Sequence, residues 1–174
     1  MGGMRKKALW LIFQEKPSRL LLFLKETGKK VYQTEISKKI DATFAHTLRI
    51  LENMEKAGLI RSEKEGKVKY IYLTDVGSEV AAQIETIRRL IEISEIEQKI
   101  TNIYESTVRG KLPTEIDREA VKREYIGLKR KLATFFSDPN HFIALKSRKV
   151  AAKIDMILAE VLGLPPGTEF TLQE

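Results

Sequence analysis

The chain contains no cysteine, which excludes disulfide bonds, thiolate metal sites and cysteine nucleophiles. Only two residues are histidine, His46 and His141, and neither has neighbouring carboxylates at a metal-ligand spacing. The sequence also lacks a glycine-rich phosphate loop, an HExxH motif and a Gly-x-Ser-x-Gly motif. These absences predict a protein that is not an enzyme and that has no metal site and no cofactor.

Long apolar runs are absent too, since no stretch reaches the roughly 18 residues that a membrane span requires. The basic start Met1–Lys7 is followed by only six apolar residues, Ala8–Phe13, and by no small-residue cleavage site. The sequence therefore predicts a cytoplasmic protein that is not exported and does not contact a membrane. We expect a short leading helix that packs Leu9, Trp10 and Phe13 on the domain or on a second subunit.

Charge is distributed unevenly along the chain. Residues 1–72 hold 16 Lys or Arg and 8 Asp or Glu, residues 73–108 hold 3 and 7, and residues 109–174 hold 12 and 9. The positive excess thus lies in the N-terminal part, where contacts with nucleic-acid phosphates would use it. A lysine-rich surface that only maintains solubility is the alternative.

Residues 34–60 carry two short helical patterns separated by a tight turn, which is the layout of a helix-turn-helix. Thr34 is the predicted N-cap of the first helix, which runs to Ile40, and the turn is Asp41-Ala42. Thr43 caps the second helix, which continues to about Ala57 and ends at Gly58. At about 100° per residue, its buried face is predicted to comprise Phe44, Thr47, Leu48, Leu51 and Met54.

The opposite face of this second helix has the size and the donors to enter a major groove. Arg can read guanine and Asn can read adenine there, while His suits a phosphate or a base edge. Lysines of the first helix would contact the DNA backbone. An amphipathic pair whose polar side only faces water is the alternative. The candidate DNA-binding residues of the two helices are Lys38, Lys39, Thr43, Ala45, His46, Arg49 and Asn53.

A basic β-hairpin is predicted next, with strands 59–63 and 68–73 around the polar turn Lys64–Lys67. Lys64, Lys67 and Lys69 would contact the DNA backbone or the minor groove. LENMEKAGLI, RSEKEGKVKYIYL and LTDVGSEV together resemble winged helix-turn-helix regulators of the MarR type and their archaeal relatives. An ArsR-like or general archaeal winged-helix protein is the alternative, because the hairpin is short and lacks an Asp-x-Arg.

The resemblance implies a mainly α fold with a small β-wing. We expect a winged helix-turn-helix domain over 1–74, a long linker or dimerisation helix over 75–108, and a C-terminal helical region over 109–174. It further implies sequence-specific binding of double-stranded DNA by a homodimeric transcriptional regulator, with the recognition helix at about 43–57 and the wing at 64–69. A winged-helix module that binds protein, or a non-specific chromatin-like DNA binder, is the alternative.

A long helix from Asp75 to about Thr107 is predicted from apolar residues at spacings of three and four. It would reach about 45–50 Å, which is too long for a domain of this size to cover. Another protein surface must therefore bury its apolar stripe. A second copy is one candidate, and a hairpin with the C-terminal helices is the other; both can hold at once. The predicted dimerisation residues are Ile84, Ile87, Ile91, Ile96, Ile100 and Ile103.

Two further helices are predicted, from Thr114, as the N-cap, to about Phe136 and from about His141 to Leu162. No residue pattern indicates a small-molecule effector. An apolar cleft near Tyr104, Tyr125 and Phe136 is where one would bind, although core packing also explains these aromatics.

Overall fold

The computed structural model describes residues 10–66 and 68–172. The helices are α1 (Glu15–Thr27), α2 (Gln33–Lys39), α3 (Phe44–Lys56), α4 (Asp75–Thr107), α5 (Arg118–Ala133) and α6 (His141–Leu162). The strands are β1 (Val31–Tyr32), β2 (Ile60–Glu65) and β3 (Val68–Leu73). The predicted fold class is confirmed in its coarse form, mainly helical with a small antiparallel sheet of order β1-β3-β2.

The chain divides into two units between Glu85 and Thr86, within α4. In the first unit, α1, α2 and α3 pack on one face of the sheet around a shared apolar core. The fully buried side chains of this core include Leu20, Leu21, Ile36, Met54, Ile60 and Ile71. No helix in the described part of the chain is both long enough and apolar enough to cross a bilayer.

The buried face of α3 differs from the predicted one. Thr47, Leu51 and Met54 are buried as expected, but Phe44 is 54% exposed and Ile50 is buried instead. The buried arc is centred about 50° from Leu51 in the direction of Ile50, which leaves Phe44 at its edge. The Phe44 prediction was wrong because it used Leu51 as the centre of the arc.

Local capping decides where the first helices begin. Thr43 caps α3 as predicted, since its hydroxyl accepts a hydrogen bond from the His46 backbone N–H at 3.3 Å. The N-cap of α2 is Tyr32 rather than Thr34, because β1 leads directly into this helix.

In the leading segment, Trp10 and Phe13 are exposed and Leu11 is buried. The predicted packing of Trp10 and Phe13 on this chain's own domain is therefore wrong, and Leu9 lies outside the described residues.

The start of α4 is fixed to the end of α3 through Thr74. Its hydroxyl donates to the carbonyl of Gly58 at 2.6 Å and accepts from the Gly77 N–H at 2.9 Å. A Cβ at Gly77 would lie 1.8 Å from the Leu59 carbonyl oxygen. The LT-x-x-G sequence thus has a physical role: threonine anchors the helix, and glycine leaves space for the neighbouring backbone.

The second unit consists of residues 86–107 of α4 with α5 and α6, whose facing sides share an apolar core. Tyr125 of α5 is fully buried, and its hydroxyl donates to the Ile100 carbonyl of α4 at 3.1 Å. The ammonium of Lys129 contacts the Asp155 carboxylate at 2.6 Å and the Phe170 carbonyl at 2.7 Å. This buried ion pair attaches the C-terminal segment to α5 and α6.

The bounds predicted for α4 and α6 are confirmed, whereas α5 is shorter than predicted. Asp117, not Thr114, caps α5, and its carboxylate accepts from the Ala120 N–H at 3.0 Å. The preceding residues form a turn in which the Leu112 N–H donates to the Glu115 carboxylate at 2.8 Å. The helix begins after this turn, at Arg118.

Candidate nucleic-acid interface

The outward side of α3 carries the predicted groove-facing residues. Ala45, Arg49 and Asn53 are exposed, and His46 is half-buried. The Arg49 guanidinium lies 3.1 Å from Nδ1 of His46. Since a guanidinium only donates, the imidazole accepts through Nδ1. This contact holds Arg49 along the helix surface, beside Ala45 and Asn53.

The turn before α3 is held in an unusual backbone conformation. Asp41 has φ 51°, and it is the one non-glycine residue with positive φ in the described ranges 10–66 and 68–172. Aspartate tolerates this left-handed region better than most residues. The Lys16 ammonium donates to the Asp41 carbonyl at 2.8 Å, which adds support to the turn. Lys38 and Lys39 of α2 are both exposed. The ammonium nitrogen of Lys39 lies 5.4 Å from the centre of the Phe23 ring.

The hairpin separates its charges by face. Lys64 of β2 lies directly opposite Lys69 of β3, in the same alternating set as the pair Ser62 and Ile71. Ile71 is buried against the helices, so both lysines are on the helix side of the sheet. Neither ammonium forms an ion pair with a carboxylate of the described residues.

On the other face of the sheet, a lysine of the same chain pairs with the acidic side chains. Glu63 and Glu65 lie there with Tyr70, and Lys30 contacts both carboxylates, at 2.5 and 2.8 Å. The hydrogen bond to Glu63, followed by that to Glu65, raises the pKa of Lys30. The Tyr32 and Tyr70 rings lie 4.9 Å apart on this face, and the hydrogen bond to Tyr32 raises the pKa of Tyr70. The acidic side chains of the hairpin are therefore directed away from α3 and engaged by Lys30.

A carboxylate of α3 connects this helix to the hairpin. Glu55 accepts from the backbone N–H of Ser62 at 3.1 Å and also from the Ser62 hydroxyl. Ser62 is two residues before Lys64 on the same face of β2. With the Thr74 anchor at the base of β3, these bonds fix the hairpin relative to α3.

The structure thus brings most of the predicted DNA-binding residues to the surface of the first unit. Thr43 is exposed but uses its hydroxyl as the α3 cap. Lys67 lies outside the described residues. Sequence reasoning missed exposed Phe44 at the start of α3, and it missed the connecting role of Glu55. A Glu seven residues before a Ser across a glycine turn is too common a pattern to have identified that contact.

The six predicted dimerisation residues have different environments. Ile96 and Ile100 are buried in the core of the second unit, and Ile103 packs against that core. Ile84 packs against the core of the first unit. Packing within the chain accounts for these four, whereas Ile87 and Ile91 are exposed.

The aromatics proposed to line an effector cleft belong to the second core. Tyr125 is fully buried, and Tyr104 and Phe136 pack against the same cluster. Among the described residues, no group of three His, Cys, Asp or Glu side chains is arranged to hold a metal ion.

No protein-family model matches the chain. A protein of Archaeoglobus fulgidus, named only as an uncharacterized protein, is 30% identical over 92 residues, which cover 51% of this chain and 97% of the relative. A high-resolution crystal structure of AF1382 from Archaeoglobus fulgidus is 31% identical with a TM-score of 0.44, and the match covers 48% of this chain and 96% of that one. The chain belongs to the same family as the uncharacterized archaeal relative.

Proposed function

We propose that the protein is a winged helix-turn-helix regulator of transcription that binds double-stranded DNA. In this proposal α2 and α3 form the helix-turn-helix, α3 enters the major groove, and the β2–β3 hairpin is the wing. The chain would act in the cytoplasm as a homodimer. The observation that carries the proposal is the juxtaposition of Lys64 and Lys69 on the α3 side of the hairpin, where neither has a carboxylate partner among the described residues.

Two like charges directly opposite each other on an antiparallel ladder are destabilising. The hairpin has two carboxylates of its own, but Glu63 and Glu65 lie on the other face with Lys30. The Lys64–Lys69 pair is thus left without compensation inside the described residues. A DNA phosphate beside the wing would neutralise both ammonium groups and release counterions.

The outward residues of α3 suit base contacts at the same surface. Arg49 would read guanine, Asn53 would read adenine, and Ala45 is small enough to approach a thymine methyl group. Lys38 and Lys39 of α2 would contact phosphates on the other side of the groove. The exposed Ile87 and Ile91 are the part of the predicted dimer surface that remains available for a second copy.

Selection from a random duplex pool at two salt concentrations, on protein of known mass in solution, tests this proposal. We expect a two-fold motif with half-sites about one helical turn apart. Lys64→Ala and Lys69→Ala should each weaken binding to all sequences and reduce the salt slope by about one unit. Lys99→Ala removes the same charge from an exposed position on α4 and serves as the matched control.

Each alternative has its own signature in this experiment. Binding without a motif would leave a non-specific, chromatin-like role. Wing variants that behave as Lys99→Ala does would exclude the wing from the interface. Absence of DNA binding together with a tight protein partner would identify a protein-interaction module instead.

A further inference from the structure

Helix α6 has two apolar faces, of which the fold uses one. Its inner face fills the core of the second unit through Ile143, Val150, Ile154 and Leu158. A surface helix of a globular domain normally needs one apolar stripe, with polar residues opposite. The outward side of α6 departs from this pattern.

The outward side carries the α6 stripe, which we define as Phe142, Leu145, Lys149, Ala152 and Met156. The spacings within it are three, four, three and four residues, the repeat of a coiled-coil seam. Its large apolar members are well exposed: Phe142 is 60%, Leu145 45% and Met156 68% accessible. The stripe is about 21 Å long, which matches an opposing helix of about 15 residues.

Basic charge lies at and beside the middle of the stripe. Lys149 is exposed and has no carboxylate partner among residues 10–66 and 68–172. The neighbouring Arg148 is exposed as well, and it donates to the Phe136 carbonyl, which carries no formal charge. Lys146 and Lys153 border the stripe beside Lys149, and both are paired with the single carboxylate of Glu97 on α4. A partner that lies on the stripe therefore meets uncompensated positive charge.

A second copy of the same stripe fits this charge poorly. In a parallel two-fold pair Lys149 lies opposite its own equivalent. In an antiparallel pair the result is the same, because Lys149 is at the midpoint between Phe142 and Met156. A lysine facing a lysine inside an apolar seam is unfavourable on both electrostatic and desolvation grounds.

We propose that the α6 stripe is the docking site for an acidic amphipathic helix of another protein. The partner would place apolar residues at heptad spacing against Phe142, Leu145 and Met156. A carboxylate near the centre of its own stripe would pair with Lys149. This surface lies on the second unit, and its use does not depend on DNA binding by the first.

The test uses the full chain and two labelled synthetic helical peptides of about 18 residues, followed by fluorescence anisotropy. Both peptides have leucines at heptad spacing; one carries glutamates at the central and flanking positions, and the other carries lysines there. We expect the acidic peptide to bind at least tenfold more tightly than the basic one. Leu145→Asp and Met156→Asp should each weaken acidic-peptide binding at least tenfold, because each replaces an apolar contact by a carboxylate that repels the peptide. Both variants should fold normally, because the two side chains are exposed and contribute little to the fold.

Charge reversal gives the sharper result. Lys149→Glu should weaken binding of the acidic peptide about fivefold and strengthen binding of the basic peptide. Lys99→Glu, on α4, should change the binding of neither peptide. A scrambled acidic peptide of identical composition should not bind. The proposal is overturned if the scrambled peptide binds as tightly as the designed acidic peptide, or if neither designed peptide binds. It is also overturned if the stripe variants bind the acidic peptide as tightly as the parent protein does. Conversion of a dimer to a monomer by Met156→Asp would assign the stripe to a second copy and also overturn it.

Discussion

Replacement of Gly77 by alanine should destabilise the first unit far more than its size suggests. The new Cβ would lie 1.8 Å from the Leu59 carbonyl oxygen and 2.8 Å from the Leu59 carbonyl carbon. Real Cβ atoms essentially never approach heavy atoms closer than 3.0 Å, so the two backbones must separate by more than 1 Å. Gly77 lies within α4, and the backbone of Leu59 is held by hydrogen bonds to Met54 and Thr74, so no flexible side chain can move aside instead.

The separation acts on the anchor that joins α3, β3 and α4. The Thr74 N–H donates to the Leu59 carbonyl at 3.1 Å, and the Thr74 hydroxyl donates to the Gly58 carbonyl at 2.6 Å. Loss of both bonds would cost about 2 kcal/mol, and overpacking adds about 1–3 kcal/mol. The helical preference of alanine returns about 0.5–1 kcal/mol. We therefore expect the free energy of unfolding to fall by about 2–4 kcal/mol, which lowers Tm by roughly 10–20 °C in a unit of this size.

Gly127 provides the matched control, since it also lies inside a helix and an added Cβ there meets no atom within 4 Å. Gly127→Ala should raise the free energy of unfolding by about 0.5–1 kcal/mol through helix propensity alone. Circular dichroism during thermal and urea unfolding of the full chain measures both variants. Gly77→Ala within about 0.5 kcal/mol of the parent protein would refute the close approach of α4 to Leu59.

Three further changes test the interface and the second core. Arg49→Ala should relax base preference at one position of a selected site, at a cost of about 1–3 kcal/mol, and leave the salt slope nearly unchanged; unaltered discrimination would exclude a base-reading role. Asp155→Asn should lower the free energy of unfolding by about 3 kcal/mol because Lys129 keeps a buried charge, and Lys129→Met with Asp155→Leu should recover most of the loss in urea titrations. Burial raises the pKa of Tyr125 from 10 to about 12, so stability that is complete below pH 10 should fall by about 2 kcal/mol as the pH rises to 12. Tyr125→Phe should flatten that fall, and an unchanged alkaline profile would contradict the effect of burial.

The presence of a helix could be predicted from the sequence where apolar residues recur at a regular helical spacing. The bounds of α4 and α6 followed from their long regular patterns, and in the structure Asn140 is the N-cap of α6. Boundaries set by one side chain were less accessible. Thr114 and Asp117 are both acceptable caps, and the structure uses Asp117, whose carboxylate accepts from the Ala120 N–H.

The environment of an apolar stripe was harder to predict than its existence. The isoleucines of α4 show a period suited either to a second copy or to neighbouring helices. Ile96 and Ile100 are buried within the chain because α5 and α6 supply Tyr125 and Ile154 to the same cluster. Periodicity identifies a face that must be covered, but it contains no information about which surface covers it.

The electrostatics of the candidate site depend on the register of the hairpin, which composition alone does not determine. Side chains alternate between the faces of a strand, so a slip of one residue in β2 would place Glu63 and Glu65 beside α3 and move Lys64 to the other side. The observed register is held by the turn at Gly66, which has φ 63°, by the burial of Ile71 and by the contact of Glu55 with Ser62. The packing of the core and one carboxylate of α3 thereby determine that the hairpin presents positive charge on the side of the proposed recognition helix.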